Sequence, residues 1–182
     1  MSSSLDSRIS RISQAMDIYP NFPKPGITFI DIFPIMRSPD VFSDLTDLLV
    51  DHIKQTHPNV EIIFGLDARG FLFGPLIAQR LGISFAPIRK AGKLPGETLQ
   101  ASFQLEYGSD KFEVQKCSAA KGQNVIIIDD LLATGGTMAA AYKLMKDLEA
   151  DVLECIVLVE LENLNGRSKI PGKVFSVIKR ND

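Results

Sequence analysis

Asp129 and Asp130 stand side by side at the end of an apolar run, and the loop Ala133, Thr134, Gly135, Gly136, Thr137 follows two residues later. That loop offers successive backbone N–H groups and hydroxyl donors on Thr134 and Thr137. Its two glycines allow positive φ and close backbone approach. A helix starting behind it adds a dipole worth roughly 0.3–1 kcal/mol to an anion at an exposed site. These features make a phosphate cradle. The paired carboxylates would repel a triphosphate, but their oxygens can accept hydrogen bonds from the neighbouring hydroxyls of a ribose. The ligand that fits is a ribose carrying a 5′-phosphate. The Gly-Lys-Ser/Thr ending of a nucleotide P-loop is missing. An isolated Asp-Asp or Gly-Gly could be only a cap and a turn. Here carboxylates, hydroxyls and glycines coincide between a strand and a helix.

The elements that must hold this loop can be read around it. Val125, Ile126, Ile127 and Ile128 form a β-branched run typical of a strand buried on both faces. Residues 138–150 are helix formers, with apolar Leu144, Met145 and Leu148. A parallel strand that turns into a helix puts its loop at the carboxyl edge of the sheet, where open α/β sheets bind ligands. Residues 61–66 predict a second buried strand. Asp67, Ala68, Arg69 and Gly70 follow at its end, and a helix spans 71–81 and stops at Gly82. Arg69 at such a turn has the planar fork that suits phosphate oxygens. A third strand over 83–88 runs into a Gly/Pro-containing loop crowded with Arg89, Lys90 and Lys93.

The remainder supplies support. Leu5, Ile9, Ile12 and Met16 make one helical stripe, with Ser2 to Ser4 available as N-cap. The stripe could pack inward or seal a dimer. Residues 19–26 hold three prolines and a glycine and predict a loop, and ITFIDIF after it a short strand. Ser38-Pro39 starts a helix whose apolar face is Val41, Phe42, Leu45, Leu48, Leu49 and Ile53. His52 and His57 read as solvated helix positions. Residues 98–107 and 111–115 alternate as a hairpin that turns at Gly108-Ser109-Asp110. Periodicity alone makes Glu106 the end of its polar face. Residues 152–161 and 174–178 are further strands, separated by a polar loop. The element order predicts a mostly parallel α/β fold, and 182 residues favour one domain.

Composition narrows the class. A 45% hydrophobic content supports a core, and a net charge of −2 argues against a nucleic-acid partner. No apolar run approaches the roughly 20 residues that span a membrane. MSSSLDSRIS has no apolar signal-peptide core, and Cys117 and Cys155 match no metal or disulfide pattern. An intracellular protein with reduced thiols is expected.

The run IIIDDLLATGGT closely resembles the phosphoribosyl pyrophosphate signature of the type I phosphoribosyltransferases, and its LLATGGT variant resembles the branch that uses adenine. YPNFPKPGITF, GLDARGFLFGP, IRKAGKLPG and LEYG match the same family in its order, from about Tyr19 to the C-terminus. The resemblance implies the type I phosphoribosyltransferase fold. Residues 1–34 would be an N-terminal helix and purine hood, and 35–182 the core, with a flexible loop and hairpin at about 89–116. It implies a cytoplasmic homodimer in which adenine and phosphoribosyl pyrophosphate give AMP and pyrophosphate with Mg²⁺. The metal would be held mainly through substrate and water, with no direct protein ligand. In this reading Asp129 and Asp130 hold the ribose and residues 133–137 the 5′-phosphate. Asp67, Ala68 and Arg69, with a cis peptide expected between Asp67 and Ala68, serve the pyrophosphate under a lid carrying Arg89, Lys90 and Lys93. Phe29 stacks on the base, groups near Thr28 read its edge, and Leu161 lies beside it. Glu106 and Arg69 are catalytic, and Tyr107 flanks Glu106. Most relatives carry a basic residue where this chain has Ile30. Another purine, or a non-catalytic sensor of phosphoribosyl pyrophosphate or AMP, stays open on the residues alone.

Overall fold

The computed structural model describes residues 2–104 and 109–181, with side-chain surroundings for 5–102 and 110–181. Helix α1 (Ser2–Gln14) precedes an antiparallel ribbon of β1 (Asp17–Pro20) and β2 (Thr28–Asp31). After α2 (Phe33–Arg37) and α3 (Pro39–Thr56) come β3 (Ile62–Leu66), α4 (Gly74–Leu81), β4 (Ser84–Lys90), β5 (Thr98–Gln104) and β6 (Ser109–Gln115). The chain continues through β7 (Asn124–Leu132), α5 (Gly136–Asp147), β8 (Asp151–Leu161) and β9 (Val174–Arg180). The main sheet has the order β5-β6-β4-β3-β7-β8-β9. Strands β4, β3, β7, β8 and β9 pair in parallel, and the β5–β6 hairpin pairs antiparallel to the end of β4.

The β-branched run of β7 explains the layering. Successive side chains point to opposite faces of a sheet. Ile126 and Ile128 therefore join one core with Ile63, Leu45, Leu49, Ile53 and Ile77, under α3 and α4. Val125 and Ile127 join the other with Phe64, Leu144 and Met145, under α5. With helices on both faces, the carboxyl edge of the sheet is left to loops.

Several elements differ from expectation. Ser2 to Ser4 lie within α1 rather than capping it. The stripe packs inward at its C-terminal end, where Ile12 is buried and Leu5 is exposed. Tyr19 and Pro20, expected in a loop, belong to β1 opposite Phe29 and Thr28. A two-stranded ribbon tolerates the missing N–H of a terminal proline. The helix expected over 71–81 is split. A 3-10 turn covers Arg69–Leu72, and α4 starts with Pro75 in its first turn. Proline resists helical geometry in the residue before it, so it opens a helix more readily than it continues one. Arg89 and Lys90 are strand residues, because β4 extends to pair with Glu113 and Phe112 of β6. Ser109 and Asp110, expected in the hairpin turn, are in β6 opposite Gln104 and Phe103, and the turn itself lies outside the described residues. The histidines are not solvated. His52 Nε2 lies 2.7 Å from Glu154 Oε2 with its ring stacked on Phe175, and His57 Nε2 lies 3.3 Å from the same oxygen. The start of β8 runs beneath the end of α3 and supplies that buried carboxylate.

Leu144 is fully buried between α5 and the sheet. Leu144→Ala is expected to cost about 2–5 kcal/mol, as methylene removal from a packed core does, and urea unfolding would measure it.

Candidate active site

Two adjoining cavities open at the carboxyl edge of the sheet. The first, of about 310 Å³, is lined by the ends of three strands and their loops: Asp67, Ala68 and Arg69 after β3, Lys90 of β4, and Asp129 through Leu132 of β7 with Ala133, Thr134, Gly135 and Thr137. Asp110 and Phe112 of β6 and Met138 of α5 complete it. The second, of about 370 Å³, is lined by Gly26 through Ile30, Leu161, Asn163 and Leu164. Both share Arg69, Leu131, Ala133 and Thr134.

The carboxylate pair sits where β7 leaves the core. Asp130 is buried, and Asp129 is partly so. Burial, then the charge of Asp130 beside it, pushes the Asp129 carboxyl well above the usual carboxylate range. Burial also raises Asp130, against the pull of Arg69. Arg69 Nε lies 2.9 Å from Asp130 Oδ2, and its guanidinium stands 5.7 Å from the centre of the Phe29 ring. Arg69 therefore forms the wall between the cavities and pairs with a carboxylate. The peptide between Asp67 and Ala68 is cis, as expected.

The cradle is built from backbone. Gly135, at φ +79°, caps α5, whose first residues are Gly136 and Thr137. Such a turn leaves N–H groups of the first helical residues without intrahelical partners. Thr134, Gly135, Thr137 and Met138 line the first cavity at this helix N-terminus, and Gly136, the remaining expected cradle residue, does not.

The cationic stretch is partly tied down. Arg89 Nε bonds Asp67 Oδ2 at 3.0 Å, and Lys90 Nζ lies 3.0 Å from Asp110 Oδ2. Lys90 lines the first cavity, while Lys93 is exposed and outside its lining. The anchor of this loop is Glu113, which sequence reasoning missed. Only 2% exposed, it accepts the N–H groups of Lys93 and Leu94 at 2.7 and 2.8 Å, and Thr98 and Gln100 at 3.4 Å. Burial opposes its charge, but the N–H donors of Gly92, Leu94 and Lys93 outweigh this and hold the carboxyl below its ordinary range. In sequence Glu113 is one polar position of an alternating strand, which carries no such signal.

Thr28, Phe29 and Leu161 all line the second cavity, with Asn163 and Leu164 added from a segment read only as a polar loop. Phe22 packs edge-on against Phe29, with ring centres 5.2 Å apart. Ile30 is 4% exposed and belongs to the core under α3. Glu106 and Tyr107 lie outside the described residues.

A phosphoribosyl transferase domain model matches residues 35–182. The adenine phosphoribosyltransferases of Drosophila pseudoobscura pseudoobscura and Homo sapiens are each 49% identical over 176 residues. These alignments cover 97% and 96% of this chain, and 97% and 98% of those proteins. The crystal structure of the Saccharomyces cerevisiae adenine phosphoribosyltransferase, complexed with an imino-altritol bisphosphate and adenine, superposes with a TM-score of 0.93. It is 48% identical, covering 94% of this chain and 99% of that one. The chain belongs to the type I phosphoribosyltransferase family, within its adenine phosphoribosyltransferase branch.

A carboxyl held above its ordinary value binds its proton more tightly in the folded chain than in the unfolded one. It is neutral to stability below the usual carboxylate value of about 4 and destabilising as pH rises from there. Asp129→Asn is therefore expected to raise the melting temperature at pH 7, with the gain shrinking towards pH 4. Thermal melts across that range check this, and a variant less stable than wild type at pH 7 would contradict it.

Proposed function

We propose that this enzyme transfers the 5-phosphoribosyl group from phosphoribosyl pyrophosphate to adenine, giving AMP and pyrophosphate. The observation that carries the reading is the shared wall of the two cavities. A ribose 5-phosphate in the first and a purine in the second would meet at Arg69, Leu131, Ala133 and Thr134.

The residue roles follow from chemistry. Asp129 and Asp130 accept the ribose hydroxyls, and the backbone and hydroxyls of residues 133–137 hold the 5′-phosphate. Phe29 and Leu161 flank the base, with groups near Thr28 reading its edge. A purine nitrogen attacks C1′ as the bond from C1′ to pyrophosphate breaks through an oxocarbenium-like centre. The electron pair of the breaking bond leaves with pyrophosphate. Arg69, the loop around Asp67 and Ala68, and Lys90 face the developing negative charge. Arg89 holds Asp67 from the end of β4, and Lys93 reaches the pyrophosphate when the loop held by Glu113 moves. Glu106, with Tyr107 beside it, takes this part from the family resemblance: it acts at the purine proton or on the positive centre.

Phosphoribosyltransferases generally use Mg²⁺ with phosphoribosyl pyrophosphate. Among the described residues no group of three or more His, Cys, Asp or Glu side chains could hold a metal ion. Asp129 and Asp130 in the first cavity would hold such an ion through its waters rather than directly. When bound, it neutralises charge on the pyrophosphate. A cytoplasmic homodimer completes the proposal. No helix among the described residues is long and apolar enough to cross a membrane.

AMP formation from adenine, phosphoribosyl pyrophosphate and Mg²⁺ tests the reading. Hypoxanthine presents the opposite donor and acceptor at the base edge and should turn over at least about 10²-fold more slowly. If Glu106 transfers a proton, Glu106→Ala should lower kcat by about 10²–10⁴-fold. A loss below tenfold would remove that role.

A further inference from the structure

The segment between β8 and β9 touches both cavities, and nothing in the proposed mechanism uses what holds it. Leu161, Asn163 and Leu164 line the second cavity. Two residues further on, Gly166 is buried against the cradle of the first. A Cβ on Gly166 would lie 2.1 Å from the carbonyl oxygen of Ala133 and 2.7 Å from the nitrogen of Gly135. A Cβ on Gly135 would lie 2.2 Å from the carbonyl oxygen of Gly166. Two backbones thus meet with no room for a side chain on either, and any shift of one moves the other.

Arg167 fixes this contact. Its Nε donates to Glu160 Oε1 at 2.9 Å, and Nη2 donates to Glu160 Oε2. Nη1 donates to the Val174 carbonyl at 2.5 Å, and Nη2 reaches Ser176 Oγ at 3.0 Å. The Ser176 hydroxyl in turn donates to Glu160. Glu160 is 4% exposed and pairs in register with Leu132, the last strand residue before the cradle. Hydrogen bonds from Arg167, opposed by burial, hold its carboxyl below the ordinary range, with Ser176 adding to them. One fork therefore joins β8, β9 and the segment that abuts the cradle.

We infer that Arg167, through Glu160 and Ser176, is a positioning residue: it presses Gly166 onto the phosphate cradle and sets its distance from the base cavity. The inference rests on the proposed assignment of those cavities to ribose 5-phosphate and purine. Arg167 lines neither cavity, so its loss displaces the binding sites and leaves the reacting groups in place.

Two measurements on the full chain test it: steady-state kinetics in both substrates, and calorimetric titration with ribose 5-phosphate, which needs no turnover. Arg167→Ala should raise KM for phosphoribosyl pyrophosphate and for adenine by about tenfold, with kcat changing less, since misplacement of a site is read mainly in binding. Ribose 5-phosphate should bind more weakly by a similar factor. Ser176→Ala removes a single hydroxyl and serves if Arg167→Ala does not fold. It should move the same constants in the same direction by a smaller factor. Unchanged KM values and unchanged ribose 5-phosphate affinity in a folded variant, with loss only of active protein, would overturn the clamp. No ribose 5-phosphate binding by the wild type would overturn the functional reading, and the clamp's purpose with it.

Discussion

The molecule depends on an unfavourable juxtaposition. Two carboxylates sit side by side where a buried strand emerges, a few residues from a loop shaped for an anion. Burial and mutual repulsion both resist ionising Asp129. One guanidinium, from the end of the neighbouring strand, partly offsets this at Asp130. A ligand that brings hydroxyl donors to the pair would offset that electrostatic cost. Strained electrostatics at the carboxyl edge of a well-packed sheet is what marks a functional site in this fold.

Everything else holds that juxtaposition in place. The two apolar faces of β7, covered by different helices, fix the height at which Asp129 and Asp130 emerge. β3 delivers Arg69 beside them because it pairs in parallel with β7, Gly65 opposite Ile128. β4 delivers Lys90 in the same way. The ribbon of β1 and β2 brings Phe29 over Arg69 from outside the main sheet. Glu113 gathers the 92–98 loop by its backbone N–H groups, while Arg89 and Lys90 at its start pair with Asp67 and Asp110. Gly135 and Gly166 complete the arrangement by letting two backbones touch.

Much of this was legible in the chain. Asp129, Asp130 and the loop after them, which line one cavity, could be read because a loop between a strand and a helix gathers its polar groups into a few consecutive residues. Arg69 was visible for the same reason, and the parallel sheet followed from the β-branched runs. What stayed hidden depends on contacts between residues distant in sequence. Glu113 is an ordinary polar position until β6 is placed beside the 92–98 loop. His52 and His57 look solvated until the start of β8 brings Glu154 beneath them. Arg89 and Lys90 read as loop because their strand pairing is to a hairpin that comes later in the chain. Arg167 and Glu160 are seven residues apart, yet their purpose appears only once Gly166 is seen against the cradle.

The central claim is that the carboxylate pair reads ribose hydroxyls beside a phosphate cradle. Calorimetric binding of AMP against 2′,3′-dideoxy-AMP isolates it, because the two share base and phosphate and differ only in those hydroxyls. Hydrogen bonds to charged acceptors contribute about 1.5–3 kcal/mol each, so AMP should bind the wild type at least about tenfold more tightly. Asp129→Asn should narrow the gap. Equal affinity of the wild type for both nucleotides would contradict the account.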